Sequence, residues 1–427
     1  MGEQGFVRRK GSRLFVGEEP YRFAGPNIYW LGLDENVGGI DWPTPFRVIN
    51  ALDTAVMMGA NALRSHTLGV SVGHLKSLMP RLKELNEEAF VKVDFALNEI
   101  AKRGLRVIIP FVCNWRYYHG GKSTFTGWRG LEDENDFYTD AEVIADFKWY
   151  IEQVLNRTNT ISGVKYKEDP SIMAWELGNE LNHAPAAWVE DICNYIKGID
   201  QNHLVSYGKQ FEVDADKLYI AQLDIMDVHY YPADAKELSA DVKVVSEADK
   251  VYIAGEYGWS YGELYDFVKE AERNEDVSGT CFWSLFSHDD HGGYVQHYDG
   301  FSVHYPGNGL NQDHLNRIQA LRGHAYRIRG EAIPEEKITD APLLLSAAEG
   351  RISFRGVAGG AFYTLEKSIV CPEGPWTTLI ERRPSYYDGG WKDPLRVKTL
   401  KAYYRMKAIS TNGGEGPYSD PVESEAF

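Results

Sequence analysis

Ile172-Met-Ala-Trp-Glu-Leu-Gly-Asn-Glu180 begins as an apolar, strand-like run and closes on a polar group. Val251-Tyr-Ile-Ala-Gly-Glu256-Tyr-Gly repeats the pattern with a second carboxylate. A strand that is apolar along its length and polar at its C-terminal end is the signature of a buried parallel sheet whose active site lies at the strand ends.

Working outward, similar runs occur at Phe23–Trp30, Ala60–Thr67, Arg106–Asn114, Leu204–Gln210, Asp224–Pro232 and Gly279–His288, making eight with the two above. Amphipathic segments lie between them. Asn86–Arg103 sets Phe90, Val93, Leu97 and Ile100 at helical spacing and stops at Gly104, and Asp140–Leu155 and Pro185–Ile199 read as helices too. Alternating strands and helices over about 300 residues predict an α/β fold of the (β/α)₈ (TIM) barrel type. The expected catalytic barrel covers residues 1–335.

Beyond Pro334 and Pro342 the helical periodicity ends, and short alternating runs with Gly-rich turns predict a small all-β domain over 336–427. Ala402–Ser410 followed by Asn412–Ser419 resembles the last hairpin of a fibronectin type III-like sandwich. Trp376, Trp391, Tyr386 and Tyr387 are the residues such a domain would use to bind sugar; packing is the favoured reading of it.

The chain has 427 residues, 43% apolar and 25% charged, and no stretch approaches the roughly 20 apolar residues of a membrane span. A formal charge of -17 opposes nucleic acid and anionic membranes. Aromatic residues reach 13%, with 11 Trp and 26 Tyr, many near Gly, Asn and His in loops, where flat rings suit flat ligands. Met1–Phe15 carries charges without an apolar stretch behind them, so the expectation is a cytoplasmic protein, or a secreted one already trimmed. Cys113, Cys193, Cys281 and Cys371 have no paired spacing, and neither a disulfide framework nor a zinc site is expected.

Two carboxylates closing strands four and seven of one barrel suit glycosidic hydrolysis, which takes one protonated group for the leaving oxygen and one ionised group for the anomeric carbon. Around them the chain resembles glycoside hydrolase family 5, specifically its β-mannanase and β-mannosidase group. The resemblance is densest over Phe137–Val143 and Val154–Glu180. It implies Glu180 as acid/base and Asn179 as the residue binding the sugar 2-hydroxyl. It implies Glu256 in Gly255-Glu-Tyr-Gly as nucleophile, supported by Arg64 at the end of strand two, which a barrel-core salt bridge to Glu176 would also occupy. His229-Tyr-Tyr-Pro resembles the family's His-x-Tyr element, making His229 a site-lining residue and Tyr231 the phenol that bonds the nucleophile. Trp283 matches the sugar-stacking floor and Trp115 the Asn-Trp after strand three; Trp30 ends strand one and joins them as a substrate-binding candidate.

His288-Asp-Asp-His-Gly-Gly holds metal-ligand types, but sugar contacts or solvated polarity are the better expectation. No metal or cofactor is expected, and a monomer is. Leu181-Asn-His-Ala-Pro follows Glu180 where most family members place Pro directly, which puts an open cleft in question and favours an exo-β-mannosidase acting on mannooligosaccharides. The alternatives are an endo-β-1,4-mannanase, a β-1,4-glucan or cellooligosaccharide hydrolase, and, outside catalysis, a carbohydrate-binding barrel.

Overall fold

The structure is a computed structural model that describes residues 5–307, 311–385, 390–397 and 399–425. Three short strands, β1 (Val7–Lys10), β2 (Arg13–Val16) and β3 (Glu19–Tyr21), form an antiparallel meander. Eight parallel strands follow: β4 (Phe23–Pro26), β5 (Ala62–Arg64), β6 (Arg106–Pro110), β7 (Ile172–Glu176), β8 (Leu204–Gln210), β9 (Ile225–Tyr230), β10 (Val251–Gly258) and β11 (Val277–Trp283). β11 pairs with β4, and a bridge from Asn27 to Arg64 joins the β4 and β5 edges, closing the barrel. The predicted (β/α)₈ barrel is therefore present, with strands shorter than the apolar runs because the last residues of most runs turn into the loops.

Helices α1 (Pro45–Met57), α2 (Glu87–Lys102), α3 (Lys122–Trp128), α4 (Ala141–Asn156), α5 (Ala186–Ile199), α6 (Ala235–Glu247), α7 (Leu264–Arg273) and α8 (Gln312–Arg327) alternate with these strands. Their starts are written locally. Asn86 caps α2 by accepting from the amides of Glu88 and Ala89, and Asp140 does the same for α4 with Glu142 and Val143. Gly104 ends the α2 turn at φ +68°, a conformation glycine adopts without penalty.

The barrel interior is layered. Phe23, Ala62, Ile108, Met173, Leu204, Ile225, Val251 and Cys281, from the lower parts of the strands, form one cluster with Val7 and Leu14 of the meander. The N-terminal mouth is thus filled with apolar side chains, which leaves the polar strand ends for the opposite mouth.

The chain divides into two compact units. One holds residues up to Pro43, Gly59–Ser284 and Gly323–Glu331; the other holds Thr44–Met58, Leu285–Arg322 and the chain from Ala332 onward. The second contains two small sheets: β12 (Leu343–Ser346) with β13 (Arg351–Arg355) and β16 (Trp391–Lys392), and β15 (Thr377–Pro384), β14 (Phe362–Ser368), β17 (Ala402–Ile409) and β18 (Glu415–Tyr418), with β19 (Val422–Ser424) also on β17. Lys407 faces Tyr418 and Ile409 faces Glu415 in the expected terminal hairpin. Trp391 is 3% exposed within the apolar core of these sheets, and the Arg405 guanidinium lies 4.4 Å over the Trp376 ring, so both rings are used in packing. Tyr386 and Tyr387 lie outside the described residues.

The His288 loop belongs to this second unit, and its sequence reading is corrected at His288 and Asp290, while His291 is exposed. His288 is 1% exposed, its amide donates to Asn50 of α1 (2.9 Å), and its Nε2 lies 3.2 Å from the Tyr363 hydroxyl. Asp290 accepts from the Thr44 hydroxyl at 2.8 Å and from Arg355 at 3.1 Å. These polar groups are spent on internal hydrogen bonds rather than on solvent or sugar. Among the described residues, no helix is long and apolar enough to cross a membrane.

Candidate active site

The second carboxylate stands where the barrel register breaks. Pairing of β10 shifts between Ile253 and Glu256 on one side and between Ala254 and Tyr257 on the other. Such an irregularity re-aims a side chain. Gly255 permits it, because a Cβ there would stand 2.0 Å from the Asp227 carboxylate. On β7 the ladder ends at Glu176, and the chain turns through Leu177-Gly-Asn so that Glu180 sits at φ +53°, four residues past the strand rather than on it.

These turns bring the two glutamates to one point. His229 Nδ1 lies 3.0 Å from Glu180 Oε1 and 3.4 Å from Glu256 Oε2. One atom from each of the three side chains falls within 4.8 Å of the others, and all three residues are buried. Glu180 also accepts from the indole N–H of Trp115. Glu256 accepts from the Tyr231 hydroxyl at 2.6 Å and from Arg64 Nη1 at 3.1 Å.

Arg64 is wholly buried and spends its fork on five partners. Nη2 reaches Glu176 Oε1 (2.7 Å) and Asn179 Oδ1 (2.8 Å), Nε reaches Glu176 Oε2 (3.0 Å), and Nη1 reaches Asn27 Oδ1 (3.1 Å) as well as Glu256. The two alternatives for Arg64, support of Glu256 and a core ion pair with Glu176, are thus realised together. His66 Nε2 lies 2.8 Å from Arg64 Nη1; burial first, and then the Arg64 charge, hold that imidazole well below its ordinary value, so it is the neutral acceptor.

Electrostatics couple the central three. Burial alone would lower His229, but Glu256 and Asp227 outweigh it and raise the imidazole to about 10. Burial pushes the Glu180 carboxyl up, yet the hydrogen bond and charge of His229, with Trp115 and Arg64, hold it below its ordinary range. Glu256 is pushed up, by burial and then by the Glu180 charge, against the pull of His229, Arg64 and Tyr231. In the resting site the mobile proton therefore resides on His229, between two carboxylates.

Among the aromatic candidates, Trp283 is half-buried and stacks on Tyr29 with ring centres 5.0 Å apart and planes 12° from parallel. Trp115 is placed against Glu180. Trp30 is corrected: its ring is 0% exposed and leaves no face for a sugar, because the chain after β4 turns it into the core. Sequence reasoning missed Asn27, Tyr29, His66 and Asp227. Asn27 and His66 each stand just past the end of an apolar strand, a signal available in principle; Tyr29 and Asp227 carried none.

A family model described as GH family 5 beta-mannosidase-like matches residues 4–233. The chain belongs to this glycoside hydrolase family. Mannan endo-1,4-beta-mannosidase 7 of Arabidopsis thaliana is 34% identical over 216 residues, 48% of this chain and 48% of that protein. Mannan endo-1,4-beta-mannosidase 1 of Oryza sativa subsp. japonica is 27% identical over 350 residues, 66% of this chain and 79% of the rice protein. The family 5 chain spans about half the length of the Arabidopsis relative. Its fold is shared with the endo-1,4-beta-mannanase of Rhizomucor miehei (TM-score 0.65, 23% identity, 77% of this chain and 100% of that one) and the endo-beta-1,4-mannanase of Thermotoga petrophila (TM-score 0.64, 20% identity, 96% and 99%).

Proposed function

We propose that this family 5 glycoside hydrolase cleaves β-1,4-mannosidic bonds within mannan chains by double displacement, with Glu180 as acid/base and Glu256 as nucleophile. The observation that carries it is the convergence of Glu180, His229 and Glu256 within 4.8 Å. Retaining enzymes hold their carboxyl groups about 5–5.5 Å apart, whereas inverting ones leave about 6.5–9.5 Å for a water. The same three side chains are donor types that a cation would accept, but the hydroxyl and guanidinium donors already on Glu256 suit a carboxylate that must attack carbon.

In the first step the Glu180 proton passes to the glycosidic oxygen as the bond from C1 breaks, and a Glu256 oxygen bonds to C1. In the second, Glu180 takes a proton from water, the water oxygen bonds to C1, and the ester to Glu256 breaks. His229 Nδ1–H, 3.0 Å from Glu180, is the nearby source of the proton that Glu180 gives up in the first step, and the place to which it returns after the second. Asn179, buried and held by Arg64, stands beside the acid where a 2-hydroxyl contact would strengthen in the transition state.

Endo action is preferred to the exo action expected from the loop after Glu180, because the plant relatives at 27–34% identity are named as endo-enzymes. Proton NMR and chromatography of early products from mannohexaose test the reading. Mannobiose and mannotriose with the β-anomer first are expected; the α-anomer first overturns retention, and mannose alone overturns endo action.

A further inference from the structure

Asp227 is a buried carboxylate on β9 that the chemistry above does not use. It is 0% exposed and two residues from His229 on the same face of the strand. Its Oδ1 accepts from the Gly255 amide at 2.6 Å and lies 3.6 Å from His229 Nε2; its Oδ2 lies 3.7 Å from Arg64 Nε. Both Asp227 Oδ2 and His229 Nε2 are enclosed without a hydrogen-bond partner. Enclosing an acceptor and a donor so close together is costly unless charge holds them in place. Attraction between a carboxylate and an imidazolium supplies that charge, and the remaining gap closes with a shift of a few tenths of an ångström.

We infer that Asp227 is a positioning residue for proton delivery: facing Nε2, it keeps His229 doubly protonated with Nδ1–H directed at Glu180. The inference rests on the glycosidase reading for its purpose, though not for its geometry. When Glu180 gives its proton to the leaving oxygen, that proton is one passed from His229 Nδ1, and the imidazole is left neutral. When Glu180 later takes a proton from water, it returns one to Nδ1, so no proton is gained or lost over the cycle. The other ionisable groups around Asp227 are Arg64 on β5, Glu176 on β7, Tyr252 and Glu256 on β10, and Cys281 on β11. Arg64 is committed to Glu176 and Glu256, leaving Asp227 as the group that faces the far nitrogen of His229. The side chain also fits only because Gly255 lacks a Cβ, so the nucleophile's strand and the histidine's partner were shaped to each other.

The test uses the full chain and the variants Asp227→Asn, of nearly the same shape, and Asp227→Ser, which keeps an oxygen for the Gly255 amide. Titration of His229 by ¹⁵N-imidazole NMR, assigned with His229→Asn, should show its midpoint falling by about one pH unit or more in both variants. The basic limb of kcat/KM on mannohexaose should move to lower pH by a similar amount, and move less on a dinitrophenyl β-mannoside, whose leaving group needs no proton. An unmoved His229 midpoint in either folded variant overturns the role, as does an even loss of rate at all pH values without a shift of the limb. If the unaltered chain does not hydrolyse mannohexaose, the functional reading fails while the NMR midpoint still decides the role of Asp227.

Discussion

The Arg64 guanidinium bridges Glu176 and Glu256, 2.7 Å from the first and 3.1 Å from the second. It ties a structural carboxylate at the end of β7 to the proposed nucleophile on β10, so barrel closure and chemistry share one cation. Arg64→Lys keeps the charge but cannot fork. Losing one hydrogen bond to a charged group, worth about 1.5–3 kcal/mol, should lower kcat about 10- to 100-fold. Steady-state kinetics beside a thermal melt check it, and the melt should fall as well, because Glu176 is left underpaired in the core.

Tyr231 donates to the proposed nucleophile Glu256 at 2.6 Å. Tyr231→Phe should therefore slow attack on C1 with activated and unactivated substrates alike, by about 10-fold or more. Equal losses on mannohexaose and an aryl mannoside are the expected kinetic result; a loss confined to mannohexaose would tie Tyr231 to the acid.

Glu180→Gln should behave in the opposite way. Without a proton to give, the variant should lose most activity on mannohexaose and keep much more on the dinitrophenyl mannoside, whose leaving group departs unaided. The ratio of the two kcat/KM losses is the measurement, and a ratio near one would remove Glu180 from the acid role.

Burial holds the imidazoles of His288 and His304 down to about 3 and about 4, from an ordinary value of 6.5. The folded protein keeps them neutral while the unfolded chain protonates them. Stability should thus decline as pH falls below 6.5, by about 1.4 kcal/mol per unit for each histidine. His229, raised to about 10, has the opposite sign: its contribution is complete below 6.5 and is lost as pH rises toward 10. Thermal melts between pH 7 and 5 should steepen in this sense, and His288→Gln should flatten the acid slope relative to the unaltered chain.

Much of this was written locally. Leu204–Gln210 is the same strand in the sequence and in the structure, since its apolar residues are bounded by a polar turn on each side. Asn86 and Asp140 announced their helices because a cap acts on amides two and three residues away. Glu180 and Glu256 stood out because a carboxylate closing an apolar strand has no reason to be there in a plain core. Trp30 misled for a related reason: an aromatic residue at a strand end has the same sequence context whether its ring lines a mouth or turns inward, and here it is fully enclosed.

What the sequence determined by itself was the alternation of strands and helices, the two carboxylates at strand ends and the family they belong to, because each depends on neighbours in the chain. Only tertiary structure decided how those groups share charge. Arg64 meets Glu176 and Glu256 from 112 and 192 residues away, and Asp227 faces Gly255 from 28. Barrel closure sets those distances, and with them where the proton on His229 rests.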